Sequence, residues 1–344
     1  MSRTVKFYDA AEGKVIDVTL RADIARLIDQ DTRLTDDDGV FFQRQLEAIE
    51  AQTYDVLYPD LEARTCFKTN TFGGAGARVL TYRSFDRVGK AQVINARAID
   101  LPKSDISGKE YSITVKSVGV AYDYDIDEIA AAKMAGMPLE ARKVMAARRG
   151  YEEYINSVVW RGDEDAGLNG LFTIDEIQRT AVAAGSAGST EWSKKTPDEI
   201  IADLNNACGN MYALTKKIHA PKEIWLDTLS WNYIFSTPRS SLSDTTIGEY
   251  FCNNNQFGIK KENIKPLNEL AEGIPMGTGA GSKCFIVLTQ TTPEGQETVR
   301  IRETLPLQFL PVQLHGLVYE VPGRGRFAGL EVTYPRAIDI WYGI

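Results

Sequence analysis

The sequence predicts an α+β fold on three observations. Segments with a helical period of apolar residues and segments with strand alternation are interspersed without the regular rhythm of a doubly wound sheet. At 344 residues the chain exceeds what one ordinary core encloses, which implies two domains or one domain with extensions. A composition of 43% hydrophobic and 25% charged residues is that of a globular protein and excludes disorder as the main theme.

Residues 1–40 are rich in charge and end in "DQDTRLTDDDG"; with few apolar positions at a helical or strand period, they read as an arm that docks on something else. From Phe41, the residues Phe42, Leu46, Ile49 and Tyr54 recur at helical spacing until Pro59 stops the helix. "RVLTYRSF" is a strand with large side chains on both faces, answered by "EYSITVKSVGVAYDY". In the second run the apolar parity flips between Val115 and Val118, which signals a bulge or a strand passing from one packing environment into another. The roughly two dozen residues between these runs are long for a loop inside a compact domain. A two-stranded arm with such a tip is marginal alone in water and needs an outside surface, that of a neighbouring copy.

Asp125 and Glu128 have capping-box spacing and open a short helix that Gly136 interrupts. Pro138 is placed to start a second helix, whose apolar stripe of Ala141, Val144, Met145, Tyr151, Ile155, Val158 and Val159 runs as far as Trp160. Arg148 with Glu152 and Arg149 with Glu153 are spaced for pairing on its polar side. Beyond a small-residue link, Thr196 and Pro197 cap and start another helix; "EIWLD" reads as a strand, "TLSWNYIFS" as a helix, and "KCFIVLTQ" and "ETVRIRET" as strands around the turn "TPEG".

The motifs that could carry chemistry are weak. In "WRGDEDAGLNGLF", Asp163 and Asp165 fit the first two positions of a calcium loop, but the glycine and the distal glutamate fall out of place. Asp163, Glu164 or Asp165 could serve a carboxylate-dependent metal hydrolase, yet sequence points to no second acidic cluster. Gly162, Gly167 and Gly170 suit the end of a helix and the turns after it. "GTGAGSK", residues 277–283, lacks the phosphate-loop spacing and precedes a strand; "FGGAGAR", residues 72–78, fails the dinucleotide pattern, and both read as flexible turns. His219 and His315 are the only histidines, which removes most triads and imidazole-based metal sites. Cys66, Cys208, Cys252 and Cys284 form no Cys-x-x-Cys pair and read as buried thiols. With 39 basic against 47 acidic residues, the net charge of -8 opposes a sequence-independent grip on a phosphate backbone. No run approaches the roughly 20 apolar residues of a membrane span, and the amino terminus lacks a signal-peptide core, so a cytosolic origin is expected.

Four stretches taken together resemble tailed-bacteriophage major capsid proteins, whose fold encapsulin shell proteins share. They are "FFQRQLEAIEAQTYDVLYPDLEART", "TYRSFDRVGKAQVI", "SVGVAYDYDIDEIAAAKMAGMPLEARKVMAARRGYEEYINSVVWRGDEDAGLNGLF" and the ending "RFAGLEVTYPRAIDIWYGI". Order and spacing carry the resemblance over Phe41 to Phe172 and Arg326 to Ile344. It implies an N-terminal arm over 1–40, a peripheral domain over 41–76 and 121–195 with a spine helix at 138–160, and an extended β-hairpin loop over 77–120. An axial domain at 196–310 and return strands to the peripheral domain at 311–344 complete it. The lysine, asparagine and glutamate by which some relatives cross-link subunits have no matching trio here.

The function this implies is a coat protein forming an icosahedral shell around phage DNA, with an encapsulin-like cargo compartment as the alternative and the metal hydrolase behind it. Partners are further copies in hexamers and pentamers, with scaffolding, portal and decoration proteins; no cofactor, metal or catalytic residue is expected. Aromatic and arginine anchors dominate interfaces, which makes Tyr82, Arg83, Phe85, Asp86, Arg87 and Lys90 in the loop, and Arg148 and Arg149 on the spine helix, the candidate subunit-interface residues.

Overall fold

The computed structural model describes residues 3–9, 14–20, 58–89, 91, 93, 103–136, 139–240, 242, 244–275, 279 and 281–344. Residues 41–57, where a helix is expected, Lys90 and Pro138 lie outside the described residues. The chain forms two compact units, Met1–Pro59 and Asp60–Ile344. In the first, β1 (Arg3–Asp9) and β2 (Lys14–Leu20) make an antiparallel hairpin with Val5 opposite Val18 and Phe7 opposite Ile16. This is more regular than the arm read from the sequence, and the β-branched and aromatic residues at paired positions supply the strand preference.

The second unit begins with α1 (Ala63–Cys66) and β3 (Thr69–Thr71). A long hairpin follows, β4 (Val79–Val88) paired with β5 (Asp105–Thr114). At Val115, which is buried, the chain leaves that hairpin, and β6 (Lys116–Asp125) pairs with a different strand. The parity flip thus marks a change of packing environment. Asp125 caps α2 (Ile126–Ala135) in a reciprocal capping box with Glu128, and Gly136 ends it at φ +67°.

The long helix is α3 (Leu139–Arg161). Its expected stripe is covered only from Ala147 onward; Met145 is 62% exposed, so the subunit's own core supports only the C-terminal half. At its end Gly162 takes φ +75°, and Leu171 and Phe172 N–H groups donate to Val159 and Trp160 carbonyls, folding the chain back along the helix. A Cβ at Gly170 would lie 2.8 Å from the Arg161 carbonyl carbon, so only glycine permits this return.

Next come β7 (Gln178–Ala181), α4 (Pro197–Leu214), β8 (Glu223–Asp227), α5 (Thr228–Ser236), α6 (Ile247–Asn254), β9 (Ile264–Leu267) and β10 (Cys284–Leu288). The chain ends with β11 (Val299–Phe309), β12 (Gln313–His315), β13 (Val318–Val332) and β14 (Ile338–Tyr342). Thr196 is the N-cap of α4 with Pro197 at its first position, as expected, and Glu199 adds a bond by accepting from Thr196 N–H at 2.9 Å. One five-stranded sheet has the order β7-β14-β10-β8-β9; the other runs β12-β13-β11-β3, with β6 also paired to β13. The "TPEG" turn closes, Gly295 N–H donating to the Thr292 carbonyl, but β10 and β11 on either side of it enter different sheets rather than one hairpin. The reason is burial: every residue of β10 is enclosed, and β14 and β8 already pair with its two edges. Of the expected return strands, β13 pairs with β6, whereas β14 lies between β7 and β10 in the sheet that holds β8 and β9.

The larger core is knit by three rings, Phe67 after α1, Trp160 at the end of α3 and Trp225 in β8, with centroids 5.3–5.9 Å apart. Against the second sheet, α3 presses Tyr151 onto Gly325 of β13, where a Cβ would fall 2.7 Å from the Tyr151 Cζ. Gly325→Ala is expected to cost about 1–3 kcal/mol through overpacking. Tyr151→Phe does not rescue it, because the ring itself clashes; urea unfolding of the single and double variants checks this.

Burial pushes the Asp339 carboxyl up to about 6, against hydrogen bonds from Trp341 Nε1 (2.9 Å) and Asn210 Nδ2 (3.1 Å) that favour the charged form. Between the unfolded value of 3.8 and about 6 the native chain holds a proton that the unfolded chain releases, so stability falls as pH rises through that window. Asp339→Asn should melt higher than the parent at pH 7.5, with the difference closing toward pH 4 in a series of thermal scans.

Candidate assembly interface

The β4–β5 hairpin puts its strands in register from Val79 opposite Thr114 to Val88 opposite Asp105. Side chains therefore alternate between two faces. On one face Leu80 and Ile113, at the base, pack with Ala77, Val115 and Ala328. Farther out on that face Tyr82 stacks on Tyr111 at 5.1 Å with 14° between the rings, and burial raises the Tyr82 phenol above its ordinary value. The opposite face carries Arg83, whose Nε donates to Glu110 at 2.6 Å, then Phe85 opposite Gly108, and Arg87 opposite Ile106. Phe85 is 67% exposed and Ile106 66%.

The candidate residues are thus divided rather than gathered. Tyr82 and Asp86 share one face, Arg83, Phe85 and Arg87 the other, and Lys90 lies outside the described residues. On α3, Arg149 Nε donates to Glu153 at 2.7 Å, as the spacing predicts. Arg148 does not meet Glu152; its guanidinium lies over the Phe309 ring at 6.0 Å, because Arg64 of α1 occupies Glu152. Neither arginine belongs to the hairpin's surface.

Residues missed by the sequence reading complete the exposed surface. Ile106 and Tyr111 come from the answering strand, and their signal is the parity that pairs them with Arg87 and Tyr82. A second apolar surface surrounds β12, where Leu314 and Leu317 are 60% and 71% exposed; "LPVQLHGLV" carries that signal. The helix α2, which follows β6, has no buried residue despite its apolar sequence "IDEIAAAKMA".

Beneath the hairpin, polar groups hold the elements that carry it. Arg64 Nη1 and Nη2 donate to the buried Glu303 of β11 at 3.0 and 3.2 Å, its Nε donates to Glu152 at 2.6 Å, and the Tyr151 hydroxyl adds a bond to Glu303 at 3.3 Å. Burial, seconded by the Glu303 charge, raises the Tyr151 phenol well above its usual range. On the same sheet Arg300 and Arg302 both donate to the buried Glu331. The Arg326 guanidinium reaches the Ala75 carbonyl, fixing the glycine-rich 72–78 segment at the hairpin's base.

Of the acids of "WRGDEDAGLNGLF", Asp163 takes structural bonds. Asp163 Oδ1 accepts from Ala166 N–H at 2.9 Å and Oδ2 from the Tyr154 hydroxyl at 2.8 Å, which holds the carboxyl below its ordinary value. Burial first, and then this bond, push the Tyr154 phenol up to about 12. Among the described residues, no group of three or more His, Cys, Asp and Glu side chains is placed to hold a metal ion.

Removing one partner of a buried ion pair leaves the other uncompensated, while an exposed pair contributes little. Arg64→Ala is therefore expected to cost about 1–3 kcal/mol, and Arg83→Ala should lie within about 0.5 kcal/mol of the parent. Chemical denaturation of both variants decides it.

Among solved structures, the capsid of Myoviridae Phage XM1 superposes with a TM-score of 0.73 at 16% identity, over 89% of this chain and 100% of that one. The capsid of a native GTA particle gives 0.58 at 10% identity, over 90% and 99% of the two chains. A chain of Mycobacterium phage Bobi gives 0.55 at 12%, over 86% and 94%. No curated protein matches the sequence. The structural likenesses establish a shared capsid fold, the one the sequence resemblance implies. The family described as "Major capsid protein" matches residues 89–344, a span that takes in β5 through β14 and the region between the stretches that carry the resemblance, and the chain belongs to that family.

Proposed function

We propose that this coat protein assembles, as hexamers and pentamers, into the icosahedral head shell of a tailed phage or prophage and encloses its double-stranded DNA. The observation that carries this reading is the β4–β5 hairpin. Two strands that expose Phe85 and Ile106 and anchor only their base cannot bury those side chains within their own subunit, and a neighbouring copy supplies the missing surface. In this reading Tyr82, Arg83, Phe85, Asp86 and Arg87 meet the neighbour, with Lys90 beside them in sequence. A net charge of -8 lets the shell contain DNA without gripping it. Scaffolding, portal and decoration proteins complete the set of partners in the virion, assembly takes place in the host cytoplasm, and the role is structural, with no reaction of its own.

Deleting Arg87 to Lys109, or replacing Phe85 and Ile106 together by Ser, should leave a folded subunit with nearly unchanged melting temperature and abolish shells in sedimentation. Variants that still sediment as full shells would sink the interface reading. Particles loaded with protein cargo instead of DNA would favour the compartment alternative.

A further inference from the structure

The turn that follows α3 leaves two carboxylates unused. Asp163 and Leu168 exchange both backbone hydrogen bonds at 2.8 Å, and the Gly167 N–H donates to the Glu164 carbonyl at 3.1 Å, so 164–167 is a tight turn closed by a bridge at its base. Asp163 secures that base through Tyr154 and Ala166. Glu164 and Asp165 stand exposed on the tip, and neither side chain forms a hydrogen bond or ion pair among the described residues.

A pocket of opposite character lies where the loop after α4 meets the segment between β13 and β14. It is open, holds about 660 Å³, and carries Lys216 and Arg336 on its rim, both exposed and without an ion pair among the described residues; Glu176 is the one acid of its lining. Its lining is unfinished in the single subunit. His219 is 6% exposed and rests its ring against Tyr334 at 5.7 Å, yet its Nδ1 has no hydrogen-bond partner, and neither has the buried Thr333 Oγ1. Buried polar atoms are costly to leave unpaired, which marks a place where a polar group is to be brought in, directly or through water. Lys216 is held at this rim with φ +49° and is followed by Lys217 at +71°. Left-handed backbone favours glycine, so lysine here gives up conformational ease for a fixed charge.

A chain of net charge -8 that gathers free cations on one pocket and free carboxylates on one turn carries both halves of a head-to-tail contact, the kind of contact that closes copies into a ring. Within one copy no ion pair joins the two. We infer that the Glu164–Asp165 turn of one copy enters the pocket of the next copy in the ring and sets its carboxylates against Lys216 and Arg336. This rests on the coat-protein reading and extends it, because it assigns the ring a second contact distinct from the β4–β5 hairpin and gives the unused acids of the turn a partner.

The test uses the full chain. Charge is reversed on the turn (Glu164→Lys with Asp165→Lys), on the pocket (Lys216→Glu with Arg336→Glu), and on both together in a quadruple variant. All four side chains are exposed and unpaired in the subunit, so the unassembled variants should melt close to the parent. Each double variant is expected to lower the yield of particles in sedimentation by about tenfold or more, since like charges then meet across the contact, and the quadruple variant is expected to restore it. A second arm needs no variant: parent particles are treated with a water-soluble carbodiimide, which joins carboxylates to amines in contact, and the products are mapped by mass spectrometry. An amide between Lys216 and Glu164 or Asp165, present in particles and absent from unassembled subunits, is expected. Normal yield from either double variant, no recovery in the quadruple variant, or parent particles without that amide overturns the proposal while leaving the coat reading intact; failure of the parent to form particles at all strikes the coat reading itself.

Discussion

The contact on which this structure depends is the meeting of Phe67, Trp160 and Trp225. Each ring comes from a different element: the turn after α1, the last residues of α3, and the centre of a buried strand in the β7-to-β9 sheet. Their closeness fixes where the long helix ends. That end must then be left by a chain that reverses at once, which is why Gly162 takes a left-handed conformation and Gly170 has no room for a side chain. Asp163 and Tyr154 secure the reversal by a hydrogen bond. What reads in sequence as an acidic, chemically suggestive run is a helix end held against an aromatic cluster.

Polar bonding divides in the same way between inside and outside. Arg64 with Glu303, and Arg300 and Arg302 with Glu331, lie at or near full burial on the carboxylate side and join α1, α3, β11 and β13. They specify which strand faces which helix more than they add stability, since desolvation offsets much of the attraction. The Arg83–Glu110 pair on the hairpin is open to water and carries little of the fold. The subunit is thus closely specified beneath the hairpin and loosely held along it.

Local signals were legible in the sequence wherever the cause is local. The capping box at Asp125, the N-cap Thr196 with Pro197, the glycine that ends α2, the strand "EIWLD" and the helix after it follow from residues within a few positions of one another. The parity flip near Val115 correctly marked a change of environment but could not name β13 as the new partner. Long-range pairing was hidden for the same reason: that β10 and β11 part into two sheets across a tight turn depends on β14 and β8, distant in sequence. In the candidate interface, the strand carrying Tyr82, Phe85 and Arg87 was visible, whereas its division into two faces, and the diversion of Arg148 from Glu152 to Phe309, required the third dimension. The arm's strands were missed because charge at its far end masked the alternation at its start.

The anchor of the β4–β5 hairpin is small: Leu80, Val115 and Ala328 are its fully buried members, with Ala77 and Ile113 beside them. A lever ten residues long on each strand, fastened over so little area, converts a tilt of a few degrees at the base into ångströms at the tip, with hardly any change in buried surface. In the shell proposed above, one sequence would serve in rings of six and rings of five and would need a place where curvature can vary without a second fold. The shallow footing of this hairpin would provide that angular tolerance, in the part of the subunit where, on the proposed reading, the neighbour rather than the core sets the final direction.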